Sequence, residues 1–143
     1  MPNIILDTNV ISEVMREIPK VLVLSWFSEQ EVDTLYLTSI TLSELWHGIE
    51  SLESSHPKRR GLLSKLELLE QQFEHRILSF DAAAGRLWGR LKGRHGREGR
   101  VFPDIDLQIA AIALRDDMSI ATANTKDFSG LGIHLINPLS DAE

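Results

Sequence analysis

The sequence predicts an α/β fold of three layers, a central and mostly parallel sheet with helices on both faces. Two observations lead there. Short runs rich in aliphatic and β-branched residues (IIL, LYLTS, RILSF, MSIATA and IHLIN) recur along the chain. Most of the segments between them carry apolar residues at three- and four-residue spacing and are long enough for the helical crossovers that parallel strands need. At 143 residues the chain suits a single domain, 1–143, with a core that needs no covalent staples.

In chain order, Ile4 to Leu6 is the first strand, and Thr8 or Asn9 is placed to cap a helix carrying Val10, Ile11, Val14 and Met15 before Pro19 intervenes. A second short helix spans Val21 to about Ser28. Leu35 to Ser39 forms the next strand. Leu42, Leu45, Trp46, Ile49 and Leu52 then trace one face of a helix, opened by a capping box over Thr41-Leu42-Ser43-Glu44. SSHPK breaks it, and Leu62, Leu63, Leu66, Leu69 and Phe73 mark the following helix. After strand RILSF, Asp81 caps a helix bearing Leu87, Trp88 and Leu91, and a Gly- and Arg-rich loop leads to Pro103. Ile105, Ile109, Ala110, Ile112 and Ala113 predict a largely buried helix, followed by strands MSIATA and IHLIN.

Composition removes several classes of function. There is no cysteine, which fits a reducing, cytoplasmic setting and excludes disulfides and thiolate metal sites. No basic leader or apolar run of about 20 residues is present, so a membrane span is not expected. The net charge of -6 argues against a simple electrostatic nucleic-acid binder. Charge is uneven, however: Arg86, Arg90, Lys92, Arg94, Arg97 and Arg100 lie in one tract with Glu98 as its only acid. The five histidines are scattered without an HExxH pair. A phosphatase with an aspartyl nucleophile would want an acid where Asn9 stands, and a dinucleotide site would want a GxGxxG turn after the first strand.

The acids fall in a pattern. In open parallel sheets, ligands bind beyond the carboxyl ends of the strands. Asp7 directly follows the first strand, Glu44 lies just after the second, Asn124 and Asp127 follow MSIATA, and Asp104 and Asp106 open the helix before it. Any one of them has an ordinary reading as a cap or turn residue or as a partner of the helix dipole. Converging carboxylates would instead repel one another unless a cation neutralised them, and an oxygen-only set favours Mg²⁺ or Mn²⁺.

LDTNVIS, SITLSEL, DLQIAAIA and TANTKDF, in that order and with a closing strand and NP, resemble the PIN-domain family, specifically the VapC-type toxins of toxin–antitoxin pairs and their FitB-like branch. The resemblance covers essentially the whole chain and implies a PIN-like version of the three-layer fold. It puts the family's acids on Asp7, Glu44 and Asp106 as metal ligands, with Asn124 at the fourth catalytic position. Asp104 and Asp127 are further ligand candidates, and Thr8 and Thr122 supply hydroxyls that orient ligands or water.

The resemblance also implies an Mg²⁺- or Mn²⁺-dependent endoribonuclease that hydrolyses RNA phosphodiester bonds, a VapB-like antitoxin as partner and a homodimer. Arg86, Arg90, Lys92 and Arg94 are candidates for contacts to the RNA backbone, with a solvated helix face as the plain alternative. The contrasting functional reading is a catalytically silent PIN-like module that acts with a DNA-binding antitoxin.

Overall fold

A computed structural model describes residues 2–140. The strands are β1 (Ile4–Leu6), β2 (Leu35–Thr38), β3 (Ile77–Leu78), β4 (Ser119–Ala121) and β5 (Leu135–Ile136). The helices are α1 (Thr8–Val14), α2 (Val21–Ser28), α3 (Ser39–Glu50), α4 (Arg59–Gln72), α5 (Ala82–Arg97) and α6 (Asp104–Asp116), with short 3₁₀ turns at Val32–Thr34 and Thr125–Phe128. The strands form one sheet in the order β3-β2-β1-β4-β5, and every pairing is parallel.

The burial of β1 explains the run IIL. A strand sends successive side chains to opposite faces, so a central strand covered on both sides must be apolar throughout. Ile4 and Leu6 pack into one cluster with Val10 and Ile11 of α1, Leu45 and Ile49 of α3 and Leu66 of α4. Ile5 points the other way, into a cluster with Ala84 and Leu91 of α5 and Leu107, Ile109 and Ala110 of α6. The layers are therefore α1, α3 and α4 on one face and α5 and α6 on the other. No helix among the described residues is long and apolar enough to cross a membrane.

Two local expectations are corrected. The second strand ends at Thr38, and Ser39 already belongs to α3. Thr38 is the N-cap, its hydroxyl accepting the Thr41 amide at 3.1 Å. The capping box over Thr41–Glu44 accordingly does not form, and Glu44 sits in the second helical turn with its carboxylate free for other contacts. The glycine- and arginine-rich segment is mostly helix: α5 continues to Arg97. Buried Leu91 and the edge-on contact of His95 with Phe102, whose ring centroids lie 5.3 Å apart, hold that half of the helix to the core. Asp81 caps α5 as expected, accepting the Ala84 amide at 3.0 Å.

Helices α5 and α6 run past each other in opposite directions and are tied near both ends. Lys92 pairs with Asp104 at 2.8 Å, and Arg115 with Asp81 at 2.8 Å. The start of α6 is thereby set beside the carboxyl ends of β1 and β4, where the order of the sheet reverses on either side of β1. Such a switch point leaves a crevice.

Candidate metal-binding active site

Asp7 stands at that switch point, at the end of β1 beside β4. Its amide continues the sheet by donating to the Ala121 carbonyl at 2.9 Å, and its side chain caps α1, Oδ1 accepting the Thr8 amide at 2.8 Å. The cap is Asp7 itself and not Thr8 or Asn9. Oδ2 accepts the Thr122 hydroxyl at 2.7 Å and the Asn9 amide at 3.3 Å. Asp7 is only 4% exposed, and burial pushes its carboxyl above the ordinary value. The Thr122 and Thr8 hydrogen bonds oppose that rise, while the charges of Glu44 and Asp127 add to it.

The surrounding hydrogen bonds leave Asp7 little freedom. Thr122, fully buried, also accepts the Asn124 amide at 3.0 Å. Asn9 uses both ends of its amide: Nδ2 reaches Asp7 and Thr122, each at 3.3 Å, while Oδ1 accepts the Ala123 amide at 3.0 Å. Asn9 thus laces the start of α1 to the loop after β4. Sequence reasoning assigned it no place in the site, although an amide two residues beyond the acid, able to donate and accept, was the available signal.

Glu44 projects from α3, its Oε1 accepting the Thr8 hydroxyl at 2.5 Å. Thr8 has one proton to donate, so the Thr41 hydroxyl, 3.0 Å from it, must be the donor in that second contact. Asp106, in the first turn of α6 and half-buried, has its carboxyl pushed up to about 7. Desolvation is the main cause, followed by the charges of Asp7, Asp127 and Glu44 and a hydrogen bond with Asp127. The positive end of the α6 dipole favours the charged form, yet desolvation and repulsion win.

The other candidates separate. From the loop after β4, Asp127 is the residue coupled to Asp7 and Asp106. Asn124 is exposed, and its contribution is a backbone one, its carbonyl accepting the Asp127 amide at 3.0 Å. Asp104 is exposed and engaged with Lys92, which accounts for both residues through the tie between α5 and α6. Arg86, Arg90 and Arg94 lie exposed on α5.

Among the described residues no lysine or arginine pairs with Asp7, Glu44, Asp106 or Asp127; the ion pairs lie elsewhere. Nor do any three acids or histidines close into a finished ligand cage. Four mutually repelling carboxylates in an open arrangement fit a hard cation that keeps part of its water, since Mg²⁺ is held by one or two carboxylates with waters and phosphate oxygens filling the rest. A groove of about 330 Å³ opens beside Thr8 and Glu44, with Leu45, Ile49 and Leu62 among its walls.

The PIN domain family model matches residues 4–132. The chain is 39% identical over 136 residues to a plasmid stability protein, StbB, of Pseudomonas syringae pv. tomato, covering 94% of this chain and 97% of the relative. It is 36% identical over 141 residues to the VapC ribonuclease Y4jK of Sinorhizobium fredii, covering 97% and 99%. A FitAB structure bound to the IR36 DNA fragment superposes with a TM-score of 0.89 at 30% identity, over 98% of both chains. The chain therefore belongs to the PIN-domain family, in the branch of the VapC and FitB toxins.

Proposed function

We propose that the chain is a metal-dependent endoribonuclease, the toxin of a toxin–antitoxin pair, in which Asp7, Glu44 and Asp106 hold Mg²⁺ or Mn²⁺ and Asp127 completes the site. The observation that carries this reading is the electrostatic coupling of four carboxylates at one sheet edge, with no basic side chain paired to them among the described residues. A cluster of that kind is costly unless a cation joins it.

When bound, the ion supplies an activated water and offsets the charge that builds on the phosphate and the leaving oxygen. The chain's own residues prepare that step. Asp7 is held at one orientation by Thr122, Asn9 and the Thr8 amide, so its oxygens are fixed before any ligand arrives. Thr8, supported by Thr41, aims the Glu44 carboxylate. Asp106, its carboxyl pushed up to about 7 by burial and its acidic neighbours, would hold a cation in its deprotonated form. Asn124 acts through the turn that presents Asp127.

By likeness to the FitAB assembly, the partner is an antitoxin, and the apolar groove beside Glu44 suits a segment of it that covers the acids; a toxin homodimer belongs to the same reading. The test is cleavage of RNA by the partner-free protein with Mg²⁺ or Mn²⁺, against EDTA and against Asp7→Asn and Asp106→Asn. Loss of activity of at least about 100-fold in each variant is expected, equivalent to about 2.7 kcal/mol of transition-state stabilisation. Cleavage in EDTA, or full activity in both variants, would overturn it. The open spacing of the acids favours one alternative, a silent PIN module that binds its antitoxin without chemistry. Absence of RNA cleavage with either ion, together with intact antitoxin binding, would establish that alternative.

A further inference from the structure

We infer that the exposed arginine face of α5, formed by Arg86, Arg90, Arg94 and Arg97, is the surface that grips the phosphate backbone of the RNA substrate. The inference rests on the ribonuclease reading and adds to it the surface that holds the substrate.

The first support is geometric. Because α5 is continuous from Ala82 to Arg97, residues four apart stand one above another with a drift of about 40° per step and a rise of about 6 Å. Arg86, Arg90 and Arg94 therefore form a slanting row, and Arg97, eleven positions beyond Arg86, returns to within about 20° of it. The rise is comparable with the step between neighbouring phosphates of an extended strand. Lys92 does not belong to this face. It lies about 200° round the helix from Arg90, where it pairs with Asp104.

The second support is electrostatic. In a protein of net charge -6, Arg16, Arg59, Arg76, Arg100 and Arg115 are each held by a carboxylate or carbonyl. Arg86, Arg90, Arg94 and Arg97 enter no ion pair or side-chain hydrogen bond among the described residues. Arginine at the last turn of a helix complements the dipole, but that effect fades within one turn and leaves Arg86 and Arg90 without a structural partner. Four free guanidinium groups on one face can each take a phosphate by two parallel hydrogen bonds.

The third support is location and shape. The tie between Lys92 and Asp104 sets the C-terminal half of α5, with Arg94 and Arg97, at the end of α6 that carries Asp106. Beside the arginine row, Gly89, Gly93 and Gly96 leave a band where an added Cβ would meet nothing within 4 Å. Each costs the helix about 1 kcal/mol relative to alanine, and packing gives no reason for them. The band lets a polynucleotide lie close to the helix while the arginines close on it from one side. An acidic active site repels RNA, and a counter-surface of this kind holds the strand near it.

The test measures binding without chemistry. Fluorescence anisotropy of a labelled, unstructured single-stranded RNA in EDTA is followed from about 50 to about 200 mM salt. Arg86→Gln/Arg90→Gln/Arg94→Gln is compared with wild type and with Arg60→Gln, an exposed arginine on α4, in the opposite layer. Circular dichroism confirms that the variants fold. The expected result is at least tenfold weaker binding in the triple variant at low salt and a log–log salt slope shallower by about 2, as three lost phosphate contacts require, with Arg60→Gln near wild type. An unchanged slope in the triple variant, or an equal loss in Arg60→Gln, would overturn the inference. So would normal RNA binding accompanied by loss of the antitoxin on co-purification, which would give the face to a protein partner. RNA binding that depends on these arginines in a protein that cleaves nothing would leave this surface standing and remove the ribonuclease reading; cleavage with an unchanged slope would do the reverse.

Discussion

Asp7 serves strand, helix and site together, so the choice of replacement decides what a mutation reports. Asparagine can still cap α1, whereas alanine removes the cap, at a cost of about 1 kcal/mol, along with the charge. Thr122 is the more sensitive probe of how Asp7 is held. Thr122→Val keeps the shape but withdraws the donor from Asp7 and the acceptor from the Asn124 amide. A loss of about 1–3 kcal/mol is expected for such buried, unpaired groups, and denaturant unfolding would measure it. Asp106 gives a pH signature. Its folded value of about 7 lies above its ordinary 3.8, so between those values the folded state binds more protons than the unfolded one. Stability of the metal-free protein therefore falls as pH rises through that window. Thermal unfolding in EDTA should show wild type losing ground to Asp106→Asn as pH rises from about 4 to about 7, and Mg²⁺ should restore it at the upper end by neutralising the acids. A difference independent of pH would contradict the assigned environment of Asp106.

At the scale of elements, α5 is the helix whose sequence and structure agree least. The helix is expected through Leu91; beyond it Gly93 and Gly96 read as loop residues, and Gly89 weakens it from within, because each lowers helix propensity, and nothing local announces that His95 will be held by Phe102. Tertiary burial overrides the local preference here. If those glycines have no packing role, Gly89→Ala and Gly93→Ala should each stabilise the protein by about 1 kcal/mol, a rise in melting temperature of about 3 °C. Calorimetry would check it, and weaker RNA binding in the same variants would show what the open band is for. The start of α3 differs from the sequence expectation for a related reason. Thr38 and Thr41 are both competent caps, and only the end of β2 decides that Thr38 takes the role. Asp7, Glu44 and Asp106 could be read as acids bound for one edge because each follows or precedes an apolar run. Asp127 could not be ranked above Asn124 from spacing alone. Their order depends on the Thr125–Phe128 turn, whose backbone bond from Asp127 to Asn124 turns one side chain toward Asp106 and leaves the other exposed.

For the whole molecule, the apolar runs sufficed to read a parallel sheet between helical layers, since strands buried on both faces cannot hide their composition. Strand order was not legible, because it depends on which crossover packs where. The assembled order has a consequence for how the molecule comes into being. Asp7 follows β1, while the strand that receives its amide, Ser119–Ala121, and the hydroxyl of Thr122 come only after α6. Synthesis at about 5–20 residues per second separates the two halves of the crevice by roughly 6–23 seconds. A chain terminated before Ser119 should show neither β1 pairing to β4 nor RNA cleavage, and activity in such a fragment would disprove the assignment of the site. On the ribosome, then, the proposed site stays unassembled in a nascent chain until β4 and Thr122 have emerged to receive Asp7.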